Sequence, residues 1–367
     1  MSAASTFTNC HIHTFTHDHT PDRFVPTPLN YLMRIGWFRK ALLGLVDRFD
    51  PKRTGRISRY AEIVETSYGK DQGAVFEQVR GFYPEGTRFV VLPMDMALMG
   101  LGPVKKSIDD QHDELLQLAA AQPETIIPFV AVDPRHDAIV EKTKKRIGQG
   151  FAGIKLYPPI GYHPYDRRLW PLYEWANELD YPPPILSHCS RPASVQFHGQ
   201  PTPDMQIDPE TGVLGHRTRP ELLTWFTDPD SYRTLLRTYG RLRVCLAHFG
   251  GAGDWDRYLS HPWATGTSPS QKSWLSKIAD MIRSGEYPNL WTDISYTLFA
   301  DDEYVYLLKT LLAHERIRSK TLFGSDFYVV ESARLEERHR AVRIRAVLGE
   351  ELFRTIAVDN PRVFLGR

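Results

Sequence analysis

Short apolar runs and longer amphipathic stretches alternate along most of the chain. The runs are Thr6–His13, Thr87–Pro93, Ile126–Val132, Gly153–Tyr157, Pro184–His188, Leu242–His248, Asn289–Ile294 and Lys320–Asp326. Between them Ser107–Ala121, Ala138–Ile147, Leu169–Leu179, Ser231–Tyr239, Gln271–Ser284 and Asp302–His314 read as helices, and further helices over Ser332–Phe364 close the chain. The runs are continuously apolar rather than alternating, as expected of strands covered by protein on both faces. Strand–helix alternation predicts a parallel sheet, and eight such units predict an α/β fold of the closed (β/α)8 TIM-barrel type. An open doubly wound sheet is the rival, but no glycine-rich dinucleotide turn follows the first run. The whole chain, 1–367, is expected to be one barrel domain with long loop insertions at the C-terminal face of the strands, at about 14–86 and 189–227.

The first insertion, punctuated by prolines, holds three expected helices, Leu29–Phe49, Tyr60–Tyr68 and Ala74–Phe82. From Arg34 to Arg59 it carries eight Lys or Arg against two Asp, which reads as a solvated lid face before it reads as a contact for an acidic partner. Over all 367 residues the net charge is only +1, which gives no reason to expect nucleic acid or a membrane surface as partner. No run approaches the roughly 18 apolar residues of a spanning helix, and the N-terminus shows no signal-peptide core. Three cysteines far apart make no disulfide framework and favour a reducing compartment, so a cytoplasmic protein is expected.

Histidines and acids then change the picture. Side chains of a strand alternate faces, so His11 and His13 point the same way, about 6.5 Å apart along the strand, and both can reach one metal ion. Active sites of such barrels are built at the C-terminal strand ends. Those ends carry His11 and His13, Lys155, His188, His248, Asp293 and Asp326. Burying so many polar groups as mere packing would cost several kcal/mol. Three histidines and a carboxylate suit zinc with a position left open for water. By the same alternation Cys10, Cys189 and Cys245 should point away from their histidine neighbours and pack under the helices. His17 and His19 read as exposed loop residues.

These residues resemble the amidohydrolase superfamily, specifically the amidohydrolase-2 branch that includes aminocarboxymuconate-semialdehyde decarboxylase. The resemblance spans nearly the whole chain and rests on His11-Ile12-His13, Gly150–Tyr157, Leu186-Ser187-His188, Ala247–Gly251, Gly324-Ser325-Asp326 and Asp359–Phe364. It implies that His11, His13, His188 and Asp326 hold one divalent metal, with Zn2+ the expected ion. It also implies that His248 sits beside the metal-bound water without being a primary ligand. Asp326 would take the proton from that water, and His248 would polarise or protonate the substrate oxygen. Lys155 has three readings: a substrate contact, a carbamate bridging two metals, or a structural ion pair. Asp293 is expected to orient a ligand histidine. Tyr157, His163 and Arg191, together with Tyr162 and Arg217, are candidates to line the pocket, where arginine would suit a carboxylate-bearing small molecule. The leading expectation is a metal-dependent hydrolase of an amide, ester or lactone. The alternatives are a non-oxidative decarboxylase or hydratase, and a binding barrel with a structural metal. Assembly into a homo-oligomer is left open.

Overall fold

The computed structural model describes residues 7–25, 28–33, 35–49, 56–191, 195–260, 272–327 and 337–366. Eight strands run parallel in chain order: β1 (Thr8–Ile12), β2 (Arg88–Val91), β3 (Ile126–Val132), β4 (Gly153–Leu156), β5 (Ile185–Ser187), β6 (Val244–Leu246), β7 (Leu290–Asp293) and β8 (Thr321–Leu322). The last strand meets the first through Cys10 N–H to Phe323 O (2.8 Å), Asp326 N–H to His11 O (2.8 Å) and a parallel bridge between Ile12 and Phe327. The sheet therefore closes into the expected TIM barrel.

Two apolar layers hold it. Alternate strand residues such as Phe89, Ile154, Leu156 and Val244 pack outward against the helices. A smaller interior layer comprises Val90, Leu92, Ile127, Phe129, Leu186, Trp291 and Leu322 with Phe364. Phe364 and its helix, Asn360–Leu365, plug the end where the strands begin; its ring lies 5.5 Å from Trp291. Gly153 is needed because the Phe129 ring occupies the space a side chain would take.

Two of the barrel helices start at a side-chain cap. Ser107 accepts from the Asp110 N–H at the head of Ile108–Ala121, and Ser273 accepts from Ser276 N–H at the head of Trp274–Ser284. The expected helix over 29–49 divides into Leu29–Leu32 and Gly36–Phe49, the break falling just before Gly36, a poor helix former. Gln271 and Ser332, the expected starts of two helices, lie outside the described residues.

The expectation for two of the three cysteines fails. β1 carries one more residue than β2 between the paired positions Asn9–Phe89 and Ile12–Val91. Such a bulge breaks the alternation, so Cys10 joins the interior layer although His11 also faces inward. Cys245 is interior too, 3.8 Å from Asp293 Oδ2, because β6 ends at Leu246 and the parity does not carry on to His248. Cys189 alone packs outward, its thiol donating to Thr227 O.

Candidate metal centre

At the C-terminal mouth of the barrel the local backbone is unusual. Five described residues other than glycine have positive φ, and four of them lie just past β6, β7 and β8: His248 (66°), Phe249 (45°), Tyr296 (56°) and Asp326 (68°). Left-handed conformations of this kind persist only where surroundings impose them, and they gather at functional sites. At Asp326 the turn folds the chain back so that its N–H bonds His11 O and its carboxylate faces the two histidines of β1.

Each of those histidines has one ring nitrogen committed. His13 Nδ1–H donates to Leu92 O (2.7 Å), and His11 Nδ1–H donates to Asp293 Oδ2 (2.9 Å). Burial, followed by the Lys155 amine, drives the His11 pKa down to about 3, and burial also lowers that of His13. Both rings are therefore neutral, with Nε2 lone pairs exposed to the site. Asp326 Oδ1 lies 3.2 Å from His13 Nε2 and 3.5 Å from His11 Nε2. Three acceptors facing one another repel unless a cation lies between them. The three groups, each offering one atom within 4.8 Å of the others, could hold a divalent metal. The donor set thus fits such an ion.

The surrounding groups complete the electrostatics. Burial works against the charge of Asp293, but the His11 ring and the donors around it hold its carboxyl below the usual carboxylate range. Asp293 also accepts the His248 backbone N–H (2.9 Å), and so ties β7 to the turn after β6. Lys155 faces inward as expected. Its amine lies 3.5 Å from His11 Nε2, and burial lowers its pKa to about 8 against the pull of Asp326 and Asp293.

His248 has its Nδ1 against Ser295 and its Nε2 3.1 Å from His188 Nδ1. His188 lines the same mouth, with Nε2 3.0 Å from Ser190 Oγ. Here the structure departs from the expected four-ligand set, because His188 stands beside the close group of His11, His13 and Asp326 rather than within it. The turn that carries His248 depends on Gly250 and Gly251, both left-handed; side chains there would overlap Trp274 and Ser190.

A cavity of about 360 Å³ opens above these groups. His13, His188, His248 and Asp326 line one side, and Phe15, Met94, Tyr157, Val195 and Tyr296 give the rest an apolar character. Arg191 stands at its edge. The guanidinium is fixed by Asp254 (Nε to Oδ2, 2.8 Å) and by stacking over Trp274 at 4.7 Å. Tyr157 packs 4.7 Å from the His188 ring and donates its hydroxyl to Val195 O.

His163 is not brought to this cavity. The turn Pro158–Ile160 and the left-handed Gly161 send it outward, where its ring lies tilted 4.4 Å from that of Trp225 and Nδ1 accepts the Tyr165 N–H. It lines a separate open groove of about 640 Å³ with Arg217, Trp225 and several acids. Tyr162 is structural, its buried hydroxyl accepting from Tyr157 N–H and donating to Val132 O. His17 and His19 are not exposed loop residues either. His19 is buried with Nδ1 accepting the Thr16 N–H, and His17 is mostly covered, beside Asp18.

Ser295, Ser190, Asp254 and Trp274 escaped the sequence reading. Only Ser295 had a signal to find, since it lies two residues beyond Asp293 and shares its strand parity.

A model of the amidohydrolase family matches residues 10–367. The chain belongs to the amidohydrolase family. Membership makes it an enzyme of the hydrolase or lyase type. No curated protein matches it in sequence. Among solved structures it is similar to an uncharacterised TIM-barrel protein from Bordetella bronchiseptica, with 15% identity, TM-score 0.54, and 99% of this chain and 100% of that one covered. It is also similar to 5-carboxyvanillate decarboxylase from Novosphingobium aromaticivorans, crystallised with manganese, with 14% identity, TM-score 0.53, and coverage of 99% and 97%. A third is a probable 2-pyrone-4,6-dicarboxylic acid hydrolase from Acinetobacter baumannii with citric acid bound, with 12% identity, TM-score 0.53, and coverage of 99% and 100%. At these identities the likeness is one of fold. No helix among the described residues is long and apolar enough to cross a membrane.

Proposed function

We propose that this amidohydrolase is a divalent-metal-dependent decarboxylase of a small planar carboxylate, with His11, His13 and Asp326 as metal ligands. The observation that carries the reading is the pairing of that acceptor cluster with a largely apolar cavity. Zinc suits two imidazoles and a carboxylate, and manganese, present with the Novosphingobium decarboxylase, is its rival. When bound, the ion supplies Lewis-acid polarisation of a substrate oxygen. The chain's own groups do the rest. His188, at the same mouth, is placed to join the ligand set or to contact substrate. His248 exchanges a proton at Nε2, Asp293 orients His11, Lys155 supplies a nearby positive or hydrogen-bonding group, and Arg191 with Tyr157 receives the carboxylate-bearing substrate. Loss of CO2 breaks the bond between the ring carbon and the carboxylate, and the carbon takes a proton in its place. Apolar walls favour that step, because they solvate neutral CO2 better than the carboxylate it comes from.

Hydrolysis of a lactone or ester is the second reading, supported by the fold shared with the probable pyrone dicarboxylic acid hydrolase. The order differs from that expected from the sequence because one of the similar structures, the 5-carboxyvanillate enzyme crystallised with manganese, is a decarboxylase. The test is to supply zinc- or manganese-loaded protein with 5-carboxyvanillate, a dihydroxybenzoic acid and 2-pyrone-4,6-dicarboxylate. CO2 release from an aromatic acid is expected. Ring opening of the pyrone without CO2 release would reverse the order of the two readings.

A further inference from the structure

A ring that exchanges a proton with substrate at Nε2 must keep its other proton at Nδ1, so His248 needs a group that enforces this tautomer. Ser295 meets that requirement twice over. His248 Nδ1 lies 3.1 Å from the backbone oxygen of Ser295 and 2.9 Å from its Oγ. A carbonyl oxygen only accepts, so Nδ1 carries the proton and Nε2 the lone pair.

The hydroxyl is committed to the same outcome. Its single proton goes to Asp293 Oδ1, which also accepts the His248 backbone N–H. Oγ is left with acceptor capacity alone, and it offers this to His248 Nδ1 and, at 3.0 Å, to His11 Nδ1. The Ser295 N–H also donates to Asp293 Oδ1 (3.0 Å), which clamps the residue, and Ser295 is wholly buried. It lies behind the two rings rather than on the cavity wall, so it is not placed to act as a nucleophile.

We infer that Ser295 is a positioning residue that holds His248, and together with Asp293 also His11, in the Nδ1–H tautomer, so that His11 Nε2 faces the site and His248 Nε2 keeps its lone pair toward His188 Nδ1 at the mouth. One hydroxyl thereby couples a proposed metal ligand to the proposed proton carrier. The inference rests on the proposed role of His248.

The test follows ring tautomers directly. Protein labelled with 15N-histidine and loaded with Zn2+ is compared as wild type, Ser295→Ala, Ser295→Cys and Ser295→Thr, with the His248 signals assigned by their absence in His248→Asn. In wild type, His248 should be the pure Nδ1–H tautomer. Ser295→Ala, and the space-filling Ser295→Cys in case alanine does not fold, keep only the longer contact, to the backbone oxygen, and should show a measurable share of the Nε2–H form at unchanged zinc content, while Ser295→Thr should restore one form. If either variant turns over 5-carboxyvanillate, kcat should fall about tenfold while KM stays put. A single Nδ1–H tautomer persisting in both Ser295→Ala and Ser295→Cys would overturn the inference. Full turnover in His248→Asn would instead remove the proposed role of His248, while the tautomer result would still stand as a measurement on Ser295.

Discussion

The barrel mouth and the groove beside Trp225 both contain buried histidine, carboxylates and arginine, and the groove is the larger, at about 640 Å³ against 360 Å³. What separates them is where the ring nitrogens and charges point. His163 in the groove has Nδ1 satisfied by a backbone N–H, and the nearby acids have partners of their own: Asp228 and Asp230 share Lys277 at 2.8 and 2.7 Å. At the mouth, backbone and Asp293 occupy the Nδ1 positions of His13 and His11, leaving two lone pairs and a carboxylate face to face. Burial lowers the pKa of the histidines in both places. Burial therefore marks nothing by itself. Convergence of acceptors on one point marks the site.

The largest test of this contrast is to remove one of the converging acceptors. His13→Asn should lose bound zinc and with it about 10³-fold or more in turnover, whereas His163→Asn should keep both. Equal zinc content in the two variants, by elemental analysis after gel filtration, would erase the distinction.

Next comes His248, which lies outside the group of His11, His13 and Asp326 and instead stands close to His11 and Asp293. His248→Asn should retain the metal and lose about 10²- to 10⁴-fold in kcat. Metal loss equal to that of His13→Asn would place His248 among the ligands.

Arg191 sharpens the comparison at the level of substrate. Its guanidinium is held by Asp254 and Trp274 at the cavity edge, while Arg217 lies 3.9 Å over Trp225 in the groove. Arg191→Lys should raise KM for a carboxylate substrate about tenfold, through loss of a fixed planar fork, and leave kcat nearly unchanged. Arg217→Lys should alter neither constant.

The smallest expected effect concerns stability. Burial lowers the His163 pKa from 6.5 to about 3, so the unfolded chain takes up a proton there before the folded one does. The stabilisation from keeping it neutral is complete above pH 6.5 and is lost as the pH falls toward 3. At pH 5 the loss is about 2 kcal/mol. Urea midpoints of His163→Asn should decline less between pH 7 and 5 than those of the wild type. Parallel declines would show that His163 is protonated in the folded protein.

How much of this was legible in the chain depends on the range of the physics involved. The period of apolar runs, the placement of polar residues at strand ends and the shared face of His11 and His13 are local properties, and eight strands in chain order leave few topologies to choose from. The amino-acid sequence by itself therefore determined the barrel, and which strand ends bring histidine, lysine and aspartate together at its mouth. Alternation stops being informative wherever the strand is interrupted. The extra residue in β1 turned Cys10 inward, and the left-handed turn after β6 separated the direction of His248 from that of Cys245. The glycine turn after β4 carried His163 away to Trp225. None of these leaves a periodic trace, because each depends on backbone geometry that neighbouring strands and helices impose. Tertiary structure alone decided which nitrogen of each ring is occupied, that Asp254 and Trp274 hold Arg191 at the cavity, and that one serine hydroxyl lies between two histidines. Those contacts join residues tens to hundreds of positions apart, and only closure of the barrel brings them within hydrogen-bonding distance.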